Sequence, residues 1–325
     1  MGLDDHRLDK QISDFFRNAE RKSKEETCAL CGCKQSSFSN SHSVPQFVLK
    51  RIAKDGILKT FSDIVGIKNH KNGIKNSWTF HTICSECENT YFRAYEDEHA
   101  LLNPPTNLML AQMALKDSLL LLSKYRRDRQ TDQQAIELGA FVGEVDVLSI
   151  MKERDINEMK FEIRRSKKII DKKLKSGFKL IFFSVLDWVT PLAFQSALCV
   201  HYDMDGKEIN QVYNESPTIR MQFLHIAVLP LAKKTVIMVY FHKDDRNYIP
   251  FERKFLRMSD VDKLEYINYL IFRYTEHALL SPSADTNNER LLDLCEENDN
   301  VIFDPNCMVS PKEIPNFLSK DHALS

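Results

Sequence analysis

Two C-x-x-C pairs constrain the fold of this chain more than any other feature of its sequence. One pair is Cys28 and Cys31, and the other is Cys84 and Cys87. Two residues between thiolates is the spacing of a zinc knuckle, and two such knuckles close a tetrahedral coordination sphere. A closed sphere has no open position, so we expect structural zinc whose binding energy becomes folding energy. Incidental cysteines or a redox pair are the alternatives, and two pairs in one small unit favour zinc.

The rest of the composition predicts a reducing, cytoplasmic location without a membrane partner. The chain begins with the polar stretch MGLDDHRLDKQISDFF, which has no apolar signal-peptide core, and no run approaches 18 apolar residues. The formal net charge is -1, so binding to nucleic acid would need a local basic patch. The remaining cysteines are scattered: Cys33, Cys199, Cys295 and Cys307.

The segment between the two pairs is 52 residues long, which is more than an ordinary zinc ribbon needs. It contains SHSVP at residues 41–45, and the second pair begins with ICSECE at residues 83–88. This order of motifs resembles the zinc-containing type of the HNH endonuclease family, also called His-Me finger or ββα-metal nucleases. The resemblance covers residues 26–100.

The resemblance implies a metal-dependent endonuclease that hydrolyses nucleic-acid phosphodiesters. It places His42 at the general-base position and Ser41 and Glu88 at positions that hold a catalytic divalent ion, with Thr79 near the position of an orienting Asn. A neutral imidazole can take a proton from water at cellular pH. A divalent ion, here Mg²⁺ or Mn²⁺, stabilises charge on the phosphate and the leaving oxygen.

The sequence departs from the family at the metal ligands. Ser41 replaces the usual Asp or His, and Glu88 replaces the usual His. Glu88 is still an acceptable oxygen ligand for Mg²⁺ or Mn²⁺, whereas Ser41 is a weak one. Two hypotheses follow: an endonuclease acting on DNA, by analogy in bacterial anti-phage defence, or a non-catalytic zinc-binding module that docks nucleic acid or a protein partner.

Single residues near the motifs also leave alternatives open. His42 could be a general base, a structural histidine bonded within a turn, or a zinc ligand. His81 could replace a missing ligand or lie on a sheet surface. Glu96 follows Glu88 by eight residues, so both could share one helix face, or Glu96 could simply be solvated.

A nuclease of this kind needs a basic groove for the phosphate backbone. The zinc unit supplies these candidates: Lys50, Arg51, Lys54, Lys59, Lys68, Lys71 and Lys75. A second basic stretch lies between Arg164 and Lys175, where interrupting acids favour a solvated helix face.

The whole chain predicts an α+β protein in four parts. These are an N-terminal helix over 1–25, a treble-clef-like zinc unit over 26–102, a helical region over 103–176, and an α+β domain over 177–325. The last part should be an antiparallel sheet with flanking helices, and it could recognise substrate, self-associate or bind a protein partner.

Local patterns predict the individual elements. Thr106 and Ser259 are candidate N-caps, and Gly177 is a candidate C′ residue. Helices are predicted over 86–102, 107–125, 130–142, 151–176 and 259–280. Strands are predicted over 178–189, 197–203, 219–229 and 235–242.

Overall fold

The computed structural model describes residues 3–66, 73–93, 95–139, 145–214, 216, 219–298 and 309–324. Its helices are α1 (Leu3–Lys22), α2 (Gln46–Ile52), α3 (Phe61–Ile64), α4 (Ser85–Tyr91), α5 (Glu98–Leu101), α6 (Asn107–Glu137), α7 (Val145–Asp171), α8 (Tyr248–Phe255), α9 (Asp260–Tyr274) and α10 (Glu289–Asn298). Its strands are β1 (Ser41–His42), β2 (Lys59–Thr60), β3 (Thr79–Phe80), β4 (Phe178–Leu186), β5 (Leu192–Leu198), β6 (Leu224–Pro230), β7 (Thr235–His242) and β8 (Leu279–Leu280). Among these described helices, none combines the length and apolar character needed to cross a bilayer.

A six-stranded antiparallel sheet confirms the predicted α+β class. Its strand order is β2-β8-β5-β6-β7-β4. The predicted hairpin joins β6 and β7, where Pro230 pairs with Thr235 and the Leu231 N–H donates to the Lys234 carbonyl at 2.7 Å. This hairpin supplies two adjacent inner strands of the sheet.

The sheet is buried on both faces, so the molecule has three layers. Every residue of β5, β6 and β7 is buried. On one face, Ala227 and Met238 pack with apolar residues of α6, α7 and the zinc unit. On the other face, Ile226 and Val239 pack with α8, α9 and α10. Burial on both faces explains why these strands read as nearly continuous apolar runs rather than as alternating patterns.

The long helix α6 lies between the zinc unit and the sheet. Thr106 is its N-cap as predicted, since its side chain accepts a hydrogen bond from the Met109 N–H. Residues 109–122 are all buried, as the apolar pattern predicted, and they include the charged neighbours Lys116 and Asp117. These two side chains organise the site described below.

The zinc unit also contributes to the sheet. Lys59 and Thr60 of β2 pair with Leu280 and Leu279 of β8, so β2 forms one edge of the sheet. A sheet thus joins residues from two of the four predicted parts, and the four-part division remains a prediction.

Several predicted elements have other boundaries in the structure. The helix predicted over 86–102 is two short helices, α4 and α5. The prediction of a separate helix over 130–142 is wrong, because α6 continues without a break to Glu137. The strand predicted over 197–203 instead spans Leu192–Leu198, since the polar Gln195 and Ser196 inside it find buried partners. The strand predicted over 219–229 begins only at Leu224.

Gly177 is not the C′ residue of α7. The helix ends at Asp171, and Lys173 has the left-handed backbone with a φ of 49°. Gly177 instead permits a close approach, because a Cβ there would lie 2.3 Å from Ile169 Cδ1. At the start of α9, by contrast, the prediction is confirmed: the Ser259 hydroxyl accepts a hydrogen bond from the Asp262 N–H.

Candidate functional site

The four cysteines of the two pairs meet in one cluster. The sulfur atoms of Cys28, Cys31, Cys84 and Cys87 all lie within 4.8 Å of one another, and the Sγ atoms of Cys31 and Cys84 are 3.9 Å apart. Sulfur atoms at the corners of a tetrahedron around zinc would be separated by about 3.8 Å, given Zn–S distances near 2.3 Å. The cluster therefore fits a metal ion such as zinc.

Local backbone geometry forms each half of the cluster. After the first pair, Gly32 takes a φ of 73° and its N–H donates to the Cys28 carbonyl at 2.8 Å, which closes a tight turn. The second pair lies at the start of α4, where Cys84 is the N-cap. The Cys84 N–H lies 3.4 Å from Cys28 Sγ, so it donates to the sulfur of the other half. Such N–H contacts orient and stabilise thiolate ligands.

Beside the cluster, β1 and β3 form a two-stranded ribbon that presents the SHSVP motif. Ser41 pairs with Phe80, and His42 pairs with Thr79. The Ser41 hydroxyl reaches α4, where it donates to Glu88 Oε2 at 2.5 Å. The structure thus brings Ser41 and Glu88 into direct contact, with His42 next to Ser41 in the same strand.

His42 is held in one tautomer by the backbone. Its Nε2 lies 2.8 Å from the Ile74 carbonyl oxygen, which can only accept a hydrogen bond. A neutral ring must therefore carry its proton on Nε2 and keep the lone pair on Nδ1. Burial lowers the pKa of His42 below its ordinary value, against the opposing effect of the Ile74 carbonyl. The ring is neutral near pH 7 and is not part of the cysteine cluster.

Lys116 supplies a positive charge that the sequence motifs did not predict. Its side chain is 2% exposed, and its Nζ lies 2.6 Å from Glu96 Oε1 and 3.3 Å from Glu88 Oε1. The ammonium also lies 4.6 Å from the centre of the Phe92 ring. Burial opposes the charged form, but Tyr95, Glu88 and Glu96 raise the pKa of Lys116 above its ordinary value. Lys116 is therefore a buried cation.

The donors around Glu88 do not fit a catalytic divalent ion. One Glu88 oxygen accepts the Ser41 hydroxyl, and the other faces the Lys116 ammonium. A fixed positive charge this close repels a second cation. The predicted magnesium or manganese ion gains no support from this arrangement.

The neighbour of Lys116 on α6 forms a second buried polar group. Asp117 is 0% exposed, and its two oxygens meet His225 Nδ1 at 2.8 Å and Gln195 Nε2 at 3.0 Å. The His225 ring stacks on Tyr240 at 4.8 Å between ring centres. One turn of α6 therefore has an ammonium group facing the zinc unit and a carboxyl group facing the sheet.

The two remaining candidate residues, Glu96 and His81, lie in different places. Glu96 contacts Lys116 from the segment between α4 and α5, so helical spacing does not explain its position. His81 is exposed and lines a cleft with Thr79, Arg126 and Arg127, outside the cysteine cluster.

The seven residues predicted to form a basic groove fall into three groups. Arg51 pairs with Glu98, and Lys59 donates to the Ala284 carbonyl and to Thr286. Lys68 and Lys71 lie outside the described residues. Three lysines are exposed: Lys50, Lys54 and Lys75. Lys75 directly follows Ile74, so it borders His42.

Comparison with protein-family models, with curated proteins and with solved structures finds no match. The resemblance to HNH nucleases therefore rests on the motifs alone, and family membership remains a prediction.

Sequence reasoning missed two groups of this site. The first is the Ile74 carbonyl, which orients His42 in place of a side-chain amide; a backbone atom leaves no signal in the sequence. The second is Lys116. Its signal was present, because Lys116 and Asp117 interrupt an otherwise apolar helix, and charges buried in such a helix must have partners.

Proposed function

We propose that this protein binds nucleic acid through a zinc-stabilised, HNH-like unit and does not cleave it with a bound divalent ion. The proposal is supported most by one observation: the ammonium of the buried Lys116 lies against Glu88, the carboxylate that would have held that ion. The cysteine cluster fits the structural zinc of the proposal, since its four sulfurs leave no site for a substrate.

Cationic side chains near the ribbon support the choice of nucleic acid as partner. Lys75 follows the residue whose carbonyl bonds His42. The cleft beside Thr79 is lined by Lys24, Arg126 and Arg127, together with two glutamates, and Arg126 pairs with Glu25 at 3.1 Å. Lysine and arginine side chains around a shallow cleft are suited to a phosphate backbone.

Binding is tested by fluorescence anisotropy with a short labelled DNA duplex at several salt concentrations. We expect Lys75→Glu combined with Arg127→Glu to raise Kd by about tenfold or more, and to flatten the salt dependence. Lys233→Glu combined with Lys234→Glu, on the turn between β6 and β7, carries the same change of charge; this matched control should change Kd much less. Wild-type protein that binds neither DNA nor RNA at low salt would contradict the proposal and favour a protein partner.

Hydrolysis of a phosphodiester is the second candidate, and the tautomer of His42 favours it. With Nε2–H donated to Ile74, Nδ1 is free of a proton and could accept one from water. A plasmid-nicking assay with Mg²⁺ or Mn²⁺ separates the two candidates. We expect no nicking by wild type. Nicking that disappears in His42→Ala, with zinc content unchanged, would replace the first candidate with the second.

A further inference from the structure

The cation beside Glu88 belongs to the chain itself. Lys116 Nζ contacts two carboxylates from different segments: Glu88 lies on α4, and Glu96 lies between α4 and α5. The two glutamates retain 22% and 37% exposure, whereas Lys116 retains 2%. The two carboxylates are therefore accessible to solvent, whereas the ammonium lies on their buried side.

We propose that Lys116 takes the place of a metal ion in this site, and that removing its charge opens a divalent-cation site formed by Glu88 and Glu96. The inference rests on the proposed function only in taking Glu88 as the ligand position; its test involves no nucleic acid. Mg²⁺ and Mn²⁺ are commonly held by one or two carboxylates, with water completing the coordination. The Ser41 hydroxyl, bonded to the second Glu88 oxygen, would fix the orientation of that carboxylate.

The surroundings of Lys116 explain why an external ion should not displace it. The side chain starts from the buried stretch of α6 and passes the rings of Phe92 and Tyr95, whose centres lie 4.6 Å and 5.6 Å from Nζ. A metal ion between Glu88 and Glu96 would lie next to an ammonium whose side chain is only 2% exposed, and the repulsion would oppose binding. The lysine thus excludes the ion as long as it is charged and in place.

The test is a Mn²⁺ titration of the zinc-loaded protein, followed by the loss of the free Mn²⁺ signal in electron paramagnetic resonance. Lys116→Met should bind one Mn²⁺ at least tenfold more tightly than wild type does. Lys116→Arg keeps the charge and should remain like wild type. The double variants Lys116→Met/Glu88→Gln and Lys116→Met/Glu96→Gln should lose the gained affinity. Zinc stoichiometry and thermal unfolding show whether each variant is folded.

Two outcomes would overturn the inference. The first is a folded Lys116→Met protein that gains no Mn²⁺ affinity. The second needs no change at Lys116: if wild type binds Mn²⁺ and Glu88→Gln abolishes that binding, the lysine does not exclude the ion. The first outcome leaves the proposed function intact, whereas the second would also remove the observation that supports it most. The DNA-binding measurement is separate from this titration, so it still shows whether the protein binds nucleic acid.

Discussion

The zinc unit and the central sheet are stabilised in different ways. In the zinc unit, the two paired strands β1 and β3 have two residues each, and a cysteine cluster and a buried lysine lie beside them. In the sheet, β4 to β7 have seven to nine residues each, and apolar layers cover both faces. We therefore expect the zinc unit to be destabilised chiefly by loss of an ion or a charge partner, and the sheet by loss of apolar packing.

The largest expected effect is loss of the metal ion that the cysteine cluster fits, which is zinc in the proposed function. Cys84→Ser removes one ligand from a unit with few backbone ladder bonds of its own, so we expect the zinc unit to unfold. Metal binding contributes on the order of 10 kcal/mol to folding in zinc-finger peptides. Zinc content and circular dichroism, with and without a chelator, measure the change.

Cys33→Ser is the matched control for that experiment. Cys33 is exposed and lies outside the cluster, so its replacement should leave zinc content and melting temperature unchanged. A Cys84→Ser protein that melts like wild type would contradict the expectation that the zinc unit depends on its metal ion.

A smaller effect is expected at the junction between α6 and the sheet. Asp117→Ala leaves Gln195 and His225 without their shared acceptor at positions that are about 1% exposed. Removing one partner of a buried ionic or hydrogen-bonded pair costs about 3–5 kcal/mol. Urea unfolding measures the loss. Asp117→Asn keeps the shape and one acceptor oxygen and should lose less; equal losses would mean that packing, not the polar group, dominates here.

The smallest expected effect is a pH dependence of the unfolding free energy, caused by a histidine at the contact between the zinc unit and the sheet. His277 stacks edge-on against Trp78 of the zinc unit at 4.3 Å, and burial lowers the pKa of His277 to about 3. The unfolded chain has an ordinary histidine pKa near 6.5, so it binds the proton first as pH falls. The stabilising contribution is therefore complete above about pH 6.5 and declines toward pH 3, by about 1.4 kcal/mol per pH unit.

Unfolding free energies of wild type and His277→Gln between pH 7 and pH 5 check this slope. The variant should lose about 2 kcal/mol less than wild type over that range. His99→Gln, which removes an exposed histidine outside this contact, is the control variant. Parallel slopes for wild type and His277→Gln would show that the His277 proton is not linked to folding.

The sequence predicted the parts of this molecule that depend on short spacings. The cysteine cluster follows from two C-x-x-C pairs, and β7 follows from an apolar, β-branched run with a turn before it. The contact between Ser41 and Glu88 was expected only through the resemblance, because 47 residues separate them.

The remaining features depend on partners far apart in the chain. Lys116 reaches Glu88 and Glu96 only because α6 packs against the zinc unit, which no local pattern specifies. The strand predicted over 197–203 begins at Leu192 instead, and its polar residues Gln195 and Ser196 have the buried partners Asp117 and His277. Such long-range polar pairs cannot be read from local patterns in the sequence.

The edge position of β2 has a practical consequence for attempts to dissect the chain. A fragment without the zinc unit would lose Lys59 and Thr60 and leave β8 with bare N–H and C=O groups along one side. An uncovered strand edge is a template for pairing with other chains. Truncations made to isolate the C-terminal part should therefore aggregate unless they retain β2 or cap β8, and insolubility of such fragments would not mean that this part lacks a fold of its own.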